Sequence, residues 1–304
     1  MKTANRIVGR IVFGFLLCGV VSLSGQPQST GSLCRVRLSV PKGVSHRLAE
    51  GVASSLPSVI FWAWERPEDL SFLDPEKTGV AFLAETIYLQ PPQPRSSDNR
   101  QPHMSVRPRL QPLHVSPGTV LVAVVRIENS SALLPDASLQ AEIAGQISTL
   151  QNLPGVSAVQ IDFDATSSER SFYSALLQEV RRQLPSSIPL SITALGSWCL
   201  GDPWLRRLPP GTIDEAVPML FRMGPDASSI SRFFRSGDDF SVSACRGSLG
   251  LSTDEPLSQN LLANTLAPDS RLSREKRIYI FSPRPWTEDA GKTVLQELKP
   301  WHIE

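Results

Sequence analysis

Two aspartates, Asp162 and Asp164, end an apolar segment of the sequence with one residue between them. Side chains alternate between the two faces of a β-strand, so this spacing places both carboxyl groups on one face, with Gln160 below them. The other face is apolar and consists of Val159, Ile161 and Phe163. Because a buried charge needs a partner or water, the pair predicts a solvent-filled site at the end of a strand.

Charged and aromatic residues also stand where other apolar segments end. Four further carboxylates are candidate acids or bases, namely Glu65, Glu128, Asp254 and Glu255. The candidate substrate-binding residues are Trp64, Arg126, Trp198, Arg222, Arg284 and Trp286. Indole faces stack on the C–H faces of sugars, and carboxylates and guanidinium groups hydrogen-bond to hydroxyl groups.

Glycoside hydrolysis uses paired carboxylates, which makes it the chemistry that these residues predict. Asp162 and Asp164 are the expected acid–base groups, and one of the other four carboxylates is the expected second partner. The arginines would orient the substrate or lower the pKa of a carboxyl group. Two plainer interpretations stay open: each indole belongs to the wall of a core, and Arg126 neutralises Glu128.

Eight short apolar segments, each bounded by turn residues, predict the β-strands that must carry these residues. The predicted strands are Ser58–Trp64, Gly79–Ile87, Thr119–Ile127, Val156–Phe163, Pro189–Leu195, Glu215–Phe221, Ser248–Ser252 and Arg277–Phe281. Continuous runs of Val, Ile and Leu are typical of a covered parallel sheet. Helical apolar stripes predict helices over Asp136–Leu150, Ser168–Leu184, Ser228–Arg235 and Thr287–Leu298.

This alternation predicts an α/β fold, a single (β/α)8 TIM-like barrel over residues 25–304 of the 304-residue chain. In such barrels the reactive groups lie at the C-terminal ends of the strands. A doubly wound open sheet is the alternative, but it usually has a glycine-rich phosphate loop, which this sequence lacks.

The segment 90–117 is rich in Pro and Arg and interrupts the alternation between the second and third predicted strands. It predicts a flexible excursion or an irregular hairpin. Four arginines of this segment either hold an anionic polymer or form a solvated loop, namely Arg95, Arg100, Arg107 and Arg109.

Composition excludes several classes of protein. The 30 basic and 29 acidic residues leave a net charge of +1, too small for a general nucleic-acid binder. A mean hydropathy of −0.08 excludes a polytopic membrane protein. No two of the 4 His stand at ligand spacing, so we predict no metal and no cofactor, although an all-carboxylate Ca²⁺ or Mg²⁺ site stays open.

The N-terminus has the pattern of a secretory signal, with cleavage expected after Ser24. The apolar run Ile11–Val21 is too short to span a bilayer as a helix, and three basic residues precede it, Lys2, Arg6 and Arg10. An uncleaved anchor and a lipoprotein signal acylated at Cys18 stay open, and these are the only membrane contacts that we expect. A periplasmic or secreted protein can form disulfides.

Removal of the signal segment leaves three cysteines, and at most two of them can pair within the chain. Cys199 and Cys245 lie in neighbouring units of the strand–helix pattern and are the expected disulfide, while Cys34 stays free. Three buried thiols are the alternative.

The segment Val159–Thr166 (VQIDFDAT) resembles the signature D-x-x-D-x-D-x-E of family 18 chitinases. Asp162 and Asp164 match the second and third Asp of that signature. Val159 replaces its first Asp, and Thr166 stands where the catalytic Glu belongs. The resemblance implies a barrel that lacks this family's proton donor at the expected position.

Longer phrases resemble an uncharacterised bacterial family, the domain of unknown function 3142. They occur in the order FWAWERPEDLSFL, VRPRLQPL, VAVVRIE, VQIDFDAT, DEAVPMLFRMG, LGLSTDEP and FSPRPWT. This resemblance implies a barrel-like exported protein and supplies no activity, so the function must be argued from the site.

Three hypotheses follow from the sequence. The first is an exported barrel that binds a polysaccharide or oligosaccharide and hydrolyses it through paired carboxylates. The second is a polysaccharide-binding barrel without chemistry, which the threonine at position 166 favours. The third is an envelope assembly factor that docks a protein on the Pro/Arg-rich segment.

Overall fold

The computed structural model of the chain describes residues 56–90, 103–129, 137–224, 227–236, 238–255 and 276–298. Four features predicted from the sequence lie outside these residues: the signal segment, Cys34, Arg95 and Arg100. No helix within the described ranges is long and apolar enough to cross a membrane.

Eight parallel strands close into a barrel, which confirms the predicted fold class. The structure describes eleven strands, of which β2, β4 and β5 lie outside this ring: β1 (Val59–Ala63), β2 (Glu68–Asp69), β3 (Thr78–Gln90), β4 (His103–Pro108), β5 (Leu113–His114), β6 (Val120–Asn129), β7 (Val156–Asp162), β8 (Leu190–Leu195), β9 (Glu215–Met219), β10 (Ser248–Ser252) and β11 (Arg277–Phe281). The order around the barrel is β1-β11-β10-β9-β8-β7-β6-β3, and the pairing of β3 with β1 closes it.

Four helices pack outside the barrel where the apolar stripes predicted them, and a fifth, α3, was not predicted. The helices are α1 (Ala137–Thr149), α2 (Arg170–Gln183), α3 (Gly196–Cys199), α4 (Ala227–Ser236) and α5 (Glu288–Leu298). Short 3₁₀ turns lie at Leu150–Asn152, Trp204–Arg207 and Ser243–Cys245. Burial follows the stripes, since α1 buries Leu139, Ile143 and Ile147.

Two apolar cores lie on opposite faces of the strands. Val159 and Ile161 of β7 belong to the outer core, which the helices cover. Ala158, on the alternate face of β7, belongs to the inner core of the barrel together with Trp62 and Val124. Each large apolar side chain that is fully buried contributes about 1.5–3 kcal/mol, so the two cores together stabilise the barrel.

The Pro/Arg-rich segment forms strand structure where it is described. β4 pairs antiparallel with the end of β3, and β5 pairs with β2 in a separate two-stranded sheet. Arg109 donates to the carbonyl oxygens of Trp64 at 2.6 Å and Arg66 at 2.7 Å. The suggested anion-binding role is therefore wrong for Arg109, because its guanidinium holds the loop after β1 in place.

Candidate functional site

Three polar side chains form one row across neighbouring strands near the C-terminal end of the barrel. Arg126 of β6 lies opposite Asp162 of β7 in the sheet register. Its Nη1 donates to Asp162 Oδ2 at 2.7 Å, and Thr193 Oγ1 of β8 donates to Asp162 Oδ1 at 2.8 Å. Asp162 is only 7% exposed. Both oxygens of this buried carboxylate are therefore held, as burial of a charge requires.

Asp164 follows the end of β7 and is exposed to solvent. Partial desolvation raises the pKa of its carboxyl group above the usual value, and the negative charge of Asp162 raises it further, while Arg126 lowers it. The two aspartates thus have different environments: one is a buried carboxylate with two hydrogen-bond donors, and the other is an exposed carboxyl group whose pKa is raised above its usual value.

The position that resembles that of the chitinase acid lies in the turn before α2, which begins at Arg170. The amide and the hydroxyl group of Thr166 each donate to Glu169 Oε2 at 2.7 Å. Asn129 also donates to Glu169. Burial alone would raise the pKa of Glu169, but these hydrogen bonds outweigh it and lower the pKa. Glu169 is the N-cap residue of α2, and no side-chain hydrogen bond caps the helix, so these contacts stabilise the turn that leads into it.

Aromatic rings occupy the side of the barrel opposite this polar row. Trp62 and Phe281 pack with ring centroids 4.4 Å apart, and Phe221 lies 4.9 Å from Phe281. Trp64 lies 5.5 Å from Trp62 and is half-buried. Trp64 is thus the predicted indole that keeps part of its surface at the mouth.

The prediction of sugar platforms is wrong for Trp198 and Trp286, which are 1% and 5% exposed. Trp198 packs edge-on against Trp204 in the outer core. Trp286 packs against Phe61 and donates from Nε1 to the carbonyl oxygen of Trp62 at 2.9 Å. Neither indole has a free face for a ligand.

The remaining predicted carboxylates have separate partners. Glu128 is 45% exposed and accepts from Nε of Arg126 at 3.1 Å, so one guanidinium joins it to Asp162. Glu65 accepts the amide of Leu110 at 2.9 Å. Asp254 accepts the hydroxyl group of Ser252 at 2.5 Å, and Glu255 is half-buried in the same turn. Glu128 is the carboxylate that the structure brings to the aspartates.

The two remaining predicted arginines lie at strand ends. Arg222 Nη2 lies 3.7 Å from Asp254 Oδ2, and Arg222 has a φ of +52°, a left-handed conformation that costs energy for a residue other than glycine. Arg284 is exposed, and its carbonyl oxygen accepts from Arg66 at 2.5 Å. Arg66 also pairs with buried Glu68 at 2.5 Å, so Arg66 joins the loops after β1 and β11.

A second polar row lies below the first and forms the floor of the site. Gln160 Nε2 donates to Ser191 Oγ at 2.9 Å, and that hydroxyl donates to Glu215 Oε2 at 2.9 Å. Glu215 also accepts from Arg277 and, at 2.8 Å, from Tyr279. Burial, and then the charge of Glu215, raises the pKa of Tyr279 well above its usual value. These residues fill the barrel below Asp162.

Cys199 and Cys245 form a disulfide that joins α3 to the turn before β10, with Cα atoms 5.9 Å apart. Both cysteines are fully buried. Within the described part of the chain, no group of three or more His, Cys, Asp or Glu side chains is arranged to hold a metal ion.

The fold and the site define a (β/α)8-barrel protein with carboxylates at the C-terminal ends of its strands. Residues 117–218 match the family model described as Domain of unknown function (DUF3142), which confirms that resemblance for the segment from β6 to β9.

No curated protein matches the chain. Among solved structures, the chain is similar to an endo-beta-N-acetylglucosaminidase from Cordyceps militaris in its apo form, with a TM-score of 0.44 and 9% identity. The match covers 84% of this chain and 95% of that chain. At this level of similarity we draw no inference about activity from it.

Proposed function

We propose that this chain is a carbohydrate-active barrel that binds an oligosaccharide or polysaccharide at its C-terminal mouth and hydrolyses it with Asp164 as the general acid. One observation carries the proposal: an exposed carboxyl group of raised pKa stands two residues from a buried carboxylate whose oxygens are both hydrogen-bonded. Two nearby carboxyl groups in different environments are a usual basis of acid and base roles.

The two aspartates would have different roles in the reaction. Asp164 donates a proton to the glycosidic oxygen, so a pKa above that of an ordinary Asp keeps more of it protonated. Asp162 receives two hydrogen bonds and provides a fixed negative charge, which stabilises the positive charge that develops on the sugar ring.

Glu128 is our choice for the second reacting carboxylate. It is 45% exposed and shares the Arg126 guanidinium with Asp162, so it stands beside the pair and is open to a ligand. Trp64 is the choice for a sugar platform, because part of its surface is exposed beside the ring cluster. Arg222 and Asp254 form an ion pair just beyond the ends of β9 and β10, and we expect them to contact a longer substrate.

The test is the variant Asp164→Asn, assayed on polysaccharides and on aryl glycosides with an activated leaving group. General acid catalysis contributes about 10²–10⁴-fold, so we expect a loss of that size on polysaccharides. The loss on aryl glycosides should be small, because a good leaving group needs no proton. Glu142→Gln, on the exposed face of α1, is the matched control and should keep full activity.

Unchanged polysaccharide turnover in Asp164→Asn would reject this residue as the acid. Equal losses on both substrate types would reject proton donation as its role. The far-UV circular dichroism and the melting temperature of each variant show whether the barrel remains folded.

A carbohydrate-binding barrel without catalysis is the second candidate, and a specific contact favours it. Thr166, at the position of the chitinase acid, binds Glu169 and lowers the pKa of that carboxyl group, which suits a structural turn and not a proton donor. Isothermal titration against cell-wall and exopolysaccharide fragments, with a parallel assay for products, separates the two candidates. Binding without products decides for the second.

Export to the periplasm or the medium is part of the proposal. The buried Cys199–Cys245 disulfide supports it, because such bonds persist in oxidising compartments. N-terminal sequencing of the mature protein is the test, with Gly25 expected as the first residue. A mature chain that begins at Met1 in the cytoplasm would contradict export.

A further inference from the structure

We propose that Thr193 is a positioning residue that, together with Arg126, locks the carboxylate of Asp162 in a single orientation below Asp164. The inference rests on the proposed function for its catalytic consequence, but its structural part can be tested without any substrate. Thr193 is not among the site residues that the sequence predicts.

The sheet register explains why Thr193 reaches Asp162. Ile161 of β7 pairs with Ile192 of β8, so the next residues along the two parallel strands, Asp162 and Thr193, are neighbours on the inner face. Arg126 lies opposite Asp162 on the other side. Asp162 therefore receives one donor from each neighbouring strand, at 2.7 Å from Arg126 and at 2.8 Å from Thr193.

This arrangement fixes the carboxylate because each of its oxygens has a different donor. Rotation about the side-chain bonds of Asp162 would break at least one of the two hydrogen bonds. Thr193 is 4% exposed, so a lost bond to Asp162 could not be readily replaced by bulk water. Threonine is also restricted at χ1, so its hydroxyl group is held in place more firmly than that of serine.

The lower polar row holds the strand that carries Thr193. Ser191, two residues earlier on the same face of β8, accepts from Gln160 at 2.9 Å and donates to Glu215 at 2.9 Å. The side chain of Ser191, below Thr193, thus connects β8 to both neighbouring strands, β7 and β9. This connection makes Thr193 a fixed support for Asp162.

The consequence for the site is electrostatic. Partial burial raises the pKa of Asp164 most, and the charge of Asp162 raises it further. The other charged or titratable groups around the pair are Arg126 and Glu128 from β6 and Tyr173 from α2, whose own pKa burial and both aspartates raise. Without the Thr193 hydroxyl group, Asp162 can turn within the row, and the pKa of Asp164 should fall toward its usual value.

The test compares Thr193→Val, Thr193→Ser and Thr212→Val in the full mature chain. Thr212 is a matched control, because it is 5% exposed and its hydroxyl group donates to Pro209 at 2.7 Å, away from the site. Titration of the side-chain carboxyl carbons by ¹³C NMR measures the midpoint of Asp164. We expect a downward shift in Thr193→Val, a smaller downward shift in Thr193→Ser, and no shift in Thr212→Val.

An unshifted Asp164 midpoint in Thr193→Val would overturn the proposal, and so would an equal shift in Thr212→Val. If Thr193→Val does not fold, Thr193→Ala serves with the same expectations. The pH profile of turnover then tests the catalytic consequence: the limb that reports the acid should shift to lower pH. A shifted NMR midpoint in a protein that hydrolyses no glycan would reject the hydrolase and retain the positioning role.

Discussion

Two aspartates at the C-terminal end of β7, Asp162 and Asp164, are of the same residue type but have different environments. Asp162 is bound by Arg126 and Thr193, and Asp164 is exposed with a raised pKa. The sequence places both on one face but does not distinguish them. Their difference follows from which residues stand opposite them on β6 and β8, and that depends on sheet register.

Another buried carboxyl group lies between β3 and α1 and should affect stability. Glu85 of β3 is 5% exposed and accepts from Gln146 of α1 at 2.8 Å, whereas its other oxygen has no hydrogen-bond partner. Burial raises the pKa of Glu85 above 4.5, and the bond from Gln146 only partly offsets this. The folded state therefore binds this proton more tightly than the unfolded state does.

We predict that the free energy of unfolding of the variant Glu85→Gln falls less with rising pH than that of the wild type. In the wild type, the free energy of unfolding should fall as the pH rises from 4.5 to the raised pKa, because the unfolded chain releases its proton first. The amide variant has no such proton and should be more stable than the wild type at neutral pH. Urea unfolding at several pH values measures the effect.

Glu142→Gln, which changes an exposed carboxyl group of α1, is the control for this measurement. If Glu85→Gln and Glu142→Gln show the same dependence on pH, burial of Glu85 does not contribute as argued.

At the scale of elements, residues in strands were easier to place than residues just beyond them. Val159, Ile161 and Asp162 lie on the faces that alternation predicts. Trp198 does not, because α3 begins at Gly196 and each helical residue turns by about 100° instead of 180°. The end of a strand is thus where a predicted site residue is most easily assigned to the wrong face.

The turn before α2 gives a prediction at this scale. Thr166→Ala removes the hydroxyl group that donates to Glu169, and loss of such a hydrogen bond costs about 0.5–1.5 kcal/mol of the free energy of unfolding. Thr166→Ser should keep most of that stability. Urea unfolding compares both variants with Ser167→Ala, an exposed neighbour, and equal stability of Thr166→Ala and Ser167→Ala would contradict a stabilising role of this bond.

At the scale of the whole molecule, closure of the barrel brings distant residues together. β3 pairs with β1 and β6, and β11 pairs with β1, so the chain joins its early and late strands. Arg66 donates to the carbonyl oxygen of Ser282 at 2.9 Å across this junction. The buried Cys199–Cys245 bond is a further link, across 46 positions of the sequence.

We predict that the double variant Cys199→Ala/Cys245→Ala loses about 2–4 kcal/mol of the free energy of unfolding, since a cross-link over a long loop restricts the unfolded chain. Urea unfolding of oxidised wild-type protein, with the free thiols counted by mass spectrometry after alkylation, is the comparison. A double variant as stable as the oxidised wild type would show that the bond adds no stability.

The sequence by itself determined the eight strands, the four long helices and the face on which Asp162 lies, because these depend on local periodicity of apolar residues. Tertiary structure decided the rest of the site. It placed Thr193 and Arg126 against Asp162, and it buried Trp198 and Trp286. Contacts between strands follow from register and barrel closure, which join residues far apart in the chain and leave no local signal in it.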